Sequence, residues 1–146
     1  MYLLDSDHLG VLQRQRGDAF QHLAARLLHV PETNLFVPII AFHERIKGWN
    51  AFIAKATVEH EVIFGYSKFR EILTDFAGVQ LVDYSETASL VFQDLIKQRI
   101  RVGTMDLRNA LIAIAGRFTL LTCNTVDFER VPGLIFEDWT VAIMPR

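Results

Sequence analysis

The chain has 146 residues, 51% hydrophobic and 22% charged, with a formal net charge of −2 at pH 7. That length and apolar content suit one domain with a substantial core and exclude a disordered or low-complexity chain. The charge balance excludes a global electrostatic pull toward nucleic acid, so any polyanion must be captured by a local basic patch or by metal ions.

In chain order, the opening "MYLLDSDHLG" carries a short apolar strand that stops on Asp5 and Asp7, two carboxylates one residue apart. It has neither the basic start nor the small-residue cleavage site of a signal peptide, so cytoplasmic residence is the expectation. From about His8 the pattern turns helical. "AFQHLAARLLHV" sets Phe20, Leu23, Ala24, Leu27 and Leu28 on one face before Pro31 and Asn34 break it. "NLFVPII" reads as a second strand with Pro38 near its end, where a missing N–H matters least. The stretch from "AFHERIKGW" to "REILTDF" reads as one or two long helices, bent near Gly65.

"GVQLVDYS" is a third strand, closed by Ser85 as a helix N-cap. "ETASLVFQDLIKQR" and "GTMDLRNALIAIAGR" are helices, "FTLLTCN" a fourth strand and "GLIFEDW" a short closing one. The single cysteine, Cys123, lies in that fourth apolar run and reads as a small buried thiol; one cysteine excludes an intrachain disulfide. No run approaches the roughly 18 apolar residues of a membrane span, and the mean hydropathy of +0.21 therefore points to a partner or self-association.

Strands alternating with helices predict a three-layer α/β/α sandwich around a mainly parallel sheet of about five strands, one domain over residues 1–146. In such sheets ligands gather beyond the carboxyl ends of the strands. Four acids sit there: Asp5 ends strand one, Glu44 follows strand two, Asp106 opens the helix after "GT", and Asp127 follows the fourth strand. Singly, each has an ordinary explanation. Glu44 and Asp106 suit first helical turns, Asp127 a turn or cap, and Asp5 an Asx-turn. Together they would meet in one crevice. Two unit charges 4 Å apart repel by roughly 4 kcal/mol at an effective dielectric of 20, so such a cluster needs protons or a cation. Oxygen-only ligands suit Mg²⁺ or Mn²⁺, and the chemistry they support is phosphoryl transfer. Asp7, Asn124 and Thr104 or Thr122 could add oxygens or orient water.

Other chemistries fit less well. "HERIK" and "HEVIF" begin like the zinc motif H-E-x-x-H but lack its second histidine, and no P-loop, dinucleotide fingerprint or nucleophile elbow occurs. The five histidines (His8, His22, His29, His43, His60) read as surface or capping residues. The aromatic set Phe42, Trp49, Phe52, Phe64, Tyr66, Phe69 and Phe76 reads as core plus interface. A receiver-type phosphoacceptor domain would need a lysine at a later strand end, and "FTLLTCN" and "GLIFEDW" carry none.

Four blocks in order resemble the PIN-domain ribonucleases, specifically the VapC-type toxins of toxin–antitoxin pairs: "YLLDSDHL", "VPIIAFHERIKGW", "RIRVGTMDLRNALIAIA" and "LLTCNTVDFERVPGLIFEDW". The resemblance runs nearly end to end. It implies metal binding by Asp5, Glu44, Asp106 and Asp127, an Mg²⁺- or Mn²⁺-dependent endoribonuclease acting on RNA, a homodimer, and a small antitoxin partner whose tail covers the acidic site. Departures are Asp7, where Asn is common, His43 beside Glu44, and Asn124, where some relatives carry an acid. Arg45, Lys47, Arg101, Arg108 and Arg130 lie near the acids in sequence and could grip RNA phosphates. The alternative within the same fold is a catalytically inactive module that binds RNA or protein.

Overall fold

Five short apolar segments meet as one parallel sheet: β1 (Tyr2–Leu4), β2 (Leu35–Pro38), β3 (Leu81–Val82), β4 (Thr119–Leu121) and β5 (Ile135–Glu137), in the order β3-β2-β1-β4-β5. The computed structural model describes residues 1–145. In register, Leu3 lies opposite Phe36 on β2 and Leu120 on β4. Side chains alternate across a strand, so neighbouring residues enter different layers. Leu3 and Leu120 go to one side and Leu4, Val37 and Leu121 to the other.

Among the described residues seven α-helices cover the two faces: α1 (Ser6–Arg14), α2 (Gly17–Leu27), α3 (Ile39–Lys55), α4 (Glu59–Phe76), α5 (Glu86–Ile96), α6 (Thr104–Gly116) and the short α7 (Thr125–Phe128). On one face α5 and α6 bring Ala88, Leu95, Leu107, Leu111 and Ile112 onto Leu3 and Leu120. On the other, Val11, Leu23, Ile72, Phe76 and Trp139 close over Leu4, Val37 and Leu121. Each fully buried leucine or isoleucine contributes about 2 kcal/mol relative to exposure, so both layers hold the sheet. The predicted parallel α/β sandwich is the observed one.

Several local expectations need correction. The first helical stretch begins at Ser6 and divides in two, because Gln15 (φ 50) and Gly17 (φ 86) take left-handed backbone. Leu28, placed on the buried face by periodicity, is 85% exposed just beyond α2. The long central stretch breaks at Ala56–Val58, not at Gly65. Thr57 and Val58 are β-branched and stiff, and Glu59 and Glu61 favour a fresh N-terminus immediately after. Gly65 instead sits mid-helix where α4 crosses α3; a Cβ there would collide with Ile53. Ser85 does cap α5, accepting a 3.2 Å hydrogen bond from the Ala88 N–H.

Candidate active site

In a parallel sheet all carboxyl ends share one edge, and the chain leaves β1 toward β2 on one side while β4 and β5 lie on the other. The crevice between β1 and β4 is therefore a topological switch point. Asp5 directly follows β1, and Thr122 to Asn124 directly follow β4. Asp106 stands in the first turn of α6, Glu44 early in α3, and Asp127 in α7. The four acids read from the sequence are thus brought to one edge.

Asp5 is the most buried of them, 5% exposed, and serves as the N-cap of α1. Its Oδ1 accepts from the Ser6 N–H (2.8 Å) and the Asn109 Nδ2 (2.9 Å), and its Oδ2 from the Thr122 hydroxyl (3.0 Å). Burial, and next the charge of Asp7, push its carboxyl from 3.8 up to about 7. The hydrogen bonds from Ser6 and Thr122 oppose that rise and are outweighed.

Asp7 stands in the first turn of α1, and its Oδ1 accepts from the His8 N–H (2.6 Å). Its Oδ2 accepts from the Cys123 N–H (2.8 Å) and shares the Thr122 hydroxyl (3.2 Å); its Oδ1 lies 2.9 Å from His8 Nδ1. Burial favours the protonated form, but the His8 and Cys123 hydrogen bonds outweigh it and hold the carboxyl below its ordinary value. His8 is wholly buried, contrary to the surface or capping role expected of every histidine. Its Nε2 accepts from the Trp139 N–H (3.1 Å), so the proton rides on Nδ1 and is donated to Asp7. Cys123, two residues past β4, is exposed, not buried. Partial shielding of its sulfur from water, and then the charges of Asp7 and Asp138, raise the thiol, with the Thr140 hydrogen bond opposing. Among the described residues, the tightest group of ligand-type atoms is Asp7, His8 and Cys123, mutually within 4.8 Å, and not the four acids.

Glu44 and Asp106 face an open crevice of about 660 Å³, which Lys47, Gly48 and Thr104 also line. Burial raises the Glu44 carboxyl, and the charges of Asp106 and Asp7 add to the rise. Ser6 and Asn109 stand against Glu44 and temper this, yet no hydrogen bond closes, and Glu44 Oε1 is buried without a partner. Burial likewise raises Asp106, tempered by Asn124 and reinforced by Asp127. Asn124 Nδ2 bridges Asp106 Oδ2 (3.0 Å) and Asp127 Oδ2 (3.1 Å). Thr104 is exposed at the rim.

The basic residues divide. Arg45 is engaged by Asp75 (2.9 Å), and Arg130 pairs with Asp127 (3.6 Å) and donates to the Arg101 carbonyl. Lys47 alone of the five lines the crevice. A more apolar groove of about 480 Å³, between Leu9, Leu12, Phe36 and Val79, includes none of these acids.

Two residues of the site escaped the sequence reading. Asn109 is the one polar residue within the otherwise apolar "ALIAIA" side of α6, and that interruption was its available signal. His8 gave none, since its partners Trp139 and Cys123 are distant in sequence.

The donor set suits a hard divalent cation. It is entirely oxygen, it crowds acids whose carboxyls are pushed up by burial and mutual repulsion, and it leaves Glu44 Oε1 unpartnered. Fold and site together define a parallel α/β protein with an acid-ringed switch point. No family model matches the chain. It is 46% identical over 48 residues to Ribonuclease VapC1 of Rickettsia felis, a stretch covering 33% of this chain and 36% of that protein. To Ribonuclease VapC2 of the same organism it is 26% identical over 132 residues, covering 77% of this chain and 98% of that one. The chain thus spans about a third of the first relative's length and nearly all of the second's.

Solved structures share the fold at low identity. VapBC-1 from nontypeable Haemophilus influenzae superposes with a TM-score of 0.71 at 24% identity, covering 96% of this chain and 98% of its counterpart. VapBC2 from Rickettsia felis, bound to a DNA fragment from its promoter, gives 0.62 at 23% identity, covering 94% and 98%. In sequence and in fold the chain is similar to the VapC-type PIN proteins, as its four blocks suggested.

Proposed function

We propose that this chain is a divalent-cation-dependent endoribonuclease and the toxin of a toxin–antitoxin pair. The observation that carries the reading is the gathering of Asp5, Glu44 and Asp106 at the switch point, with their carboxyls raised and Glu44 Oε1 unpartnered. The names of its relatives, ribonucleases of VapC type, support it.

In this reading Asp5, Glu44, Asp106 and Asp127 hold Mg²⁺ or Mn²⁺. The cation supplies charge neutralisation at the scissile phosphate and acidifies water. Thr122 and Asp7 orient Asp5, Asn124 sets Asp106 against Asp127, Thr104 offers a hydroxyl at the rim, and Lys47 receives an RNA phosphate at the crevice mouth. The reading includes a cytoplasmic homodimer and a proteinaceous antitoxin. The exposed Ile63, Phe64, Tyr66 and Leu73 of α4 supply apolar area for such contacts.

The test is cleavage of a mixed RNA pool by the purified chain with Mn²⁺ and with EDTA. Asp106→Asn should lower the Mn²⁺-dependent rate on the order of 10²-fold or more while its circular dichroism stays that of the parent. Full activity of Asp106→Asn, or cleavage indifferent to EDTA, would remove this function from the crevice.

A further inference from the structure

Among the described residues, three buried side-chain polar atoms lack any hydrogen-bond partner: Ser6 Oγ, Glu44 Oε1 and Asn109 Oδ1. Folded proteins satisfy about nine in ten such groups or more, so orphans call for a cause. These three are neighbours. Ser6 follows Asp5, Asn109 donates to Asp5, and both stand against Glu44.

Asn109 is the least expected of them. It is wholly buried inside α6, between Leu107 and the buried run Ala110–Ala113. Asparagine is a poor helix former, and an aliphatic residue here would leave no polar atom stranded. Its one good hydrogen bond runs from Nδ2 to Asp5 Oδ1, 2.9 Å away and 104 residues distant in sequence. Asp106 lies one turn earlier on the same helix, and residues three apart share a helix face. Asn109 therefore ties the carboxylate that ends β1 to the helix that carries Asp106, and its amide also borders Glu44.

We propose that Asn109 is a positioning residue which fixes Asp5 relative to Asp106 and Glu44 for divalent-cation binding, and that it does so at the expense of fold stability. This rests on the cation-dependent reading above. Without the amide, Asp5 keeps the Ser6 N–H and the Thr122 hydroxyl but loses its only tether to α6 among the described residues. Partners that orient ligands in this way typically change metal affinity 10- to 100-fold when removed.

The experiment is calorimetric titration of Mn²⁺ into the purified full chain, wild type against Asn109→Val and Asn109→Ala, at a temperature where circular dichroism shows each folded. Melting temperatures are measured alongside in EDTA. Both variants should bind Mn²⁺ about tenfold more weakly or worse. Asn109→Val should melt in EDTA no lower than wild type, since it removes a stranded acceptor. Affinity within threefold of wild type in either folded variant would overturn the proposal, as would a valine variant that melts lower or fails to fold, because Asn109 would then be a structural residue. A wild-type chain that binds no Mn²⁺ at millimolar concentration would instead remove the cation-dependent reading, and this inference with it.

Discussion

Replacing Asp5 by asparagine removes one charge and keeps nearly every bond. The new side-chain oxygen can still accept from the Ser6 N–H and from Asn109 Nδ2, and the new amide faces the Thr122 hydroxyl, which can turn to accept. What changes is the titration. In the fold the Asp5 carboxyl is raised from 3.8 to about 7, so the folded chain holds this proton to higher pH than the unfolded chain does. Its contribution to stability is complete below the unfolded value and drains away as pH climbs from about 4 to about 7. Roughly three pK units at 1.36 kcal/mol each put the loss on the order of 4 kcal/mol. The substituted amide does not titrate. Without cation, Asp5→Asn should match wild type near pH 4 and exceed it by a few kcal/mol at pH 8, as read by urea denaturation in EDTA at both pH values. Glu44, Asp106 and Asp7 titrate in both proteins, so their contributions largely cancel in the difference. An Asp5→Asn chain less stable than wild type at pH 8, or a gap that ignores pH, would refute the reasoning. The same substitution should abolish Mn²⁺-dependent cleavage, so stability and activity move in opposite directions.

Two further perturbations probe the frame around the acids. His8→Leu strands the Trp139 N–H and takes a donor from Asp7, and should cost about 3 kcal/mol; hydrogen exchange at the Trp139 amide should quicken, and unchanged protection there would disprove the link between α1 and the segment after β5. Gly65→Ala drives a methyl into Ile53 where α4 crosses α3 and should cost roughly 1–3 kcal/mol in thermal unfolding. A neutral result would mean that the two helices part easily.

The sheet and its acids were legible because they depend on short-range pattern. Strand runs such as "YLLD" and "FTLLTCN" are apolar and bounded, and an acid just past each bound is placed by topology alone. What stayed hidden depends on contacts across the chain. Periodicity could not place the helix break, because the two β-branched residues before Glu59 weigh more than one glycine that packing demands. Cys123 was misplaced because burial two residues past a strand end is set by where the chain turns, and "TLLTCN" does not encode that turn; His8, in α1, meets Trp139 and Cys123 only through the fold. Asn109 went unread because its reason is Asp5, 104 residues away in sequence.

The way the acids are interleaved bears on what the crevice is built to hold. Thr122 donates between Asp5 and Asp7, Asn124 between Asp106 and Asp127, and Asn109 to Asp5 beside Glu44. All three donors are neutral. A lysine or arginine in any of these places would cancel an acid and pair with it permanently, and removing either partner of such a buried pair is costly. Neutral donors fix the oxygens in place while leaving their negative charge uncancelled. Among the described residues, Arg130 is the one arginine or lysine at ion-pair distance from any of these five carboxylates, and it sits 53% exposed, 3.6 Å from Asp127. Burial first, and the repulsion of neighbouring acids after it, raise the carboxyls of Asp5, Glu44 and Asp106, and protons meet that cost when no multivalent cation does. A cation that displaces those protons gains most where the carboxyls are ionised, so Mn²⁺ should raise the melting temperature more at pH 8 than at pH 5. Equal shifts at the two pH values would mean that the cation binds away from these acids.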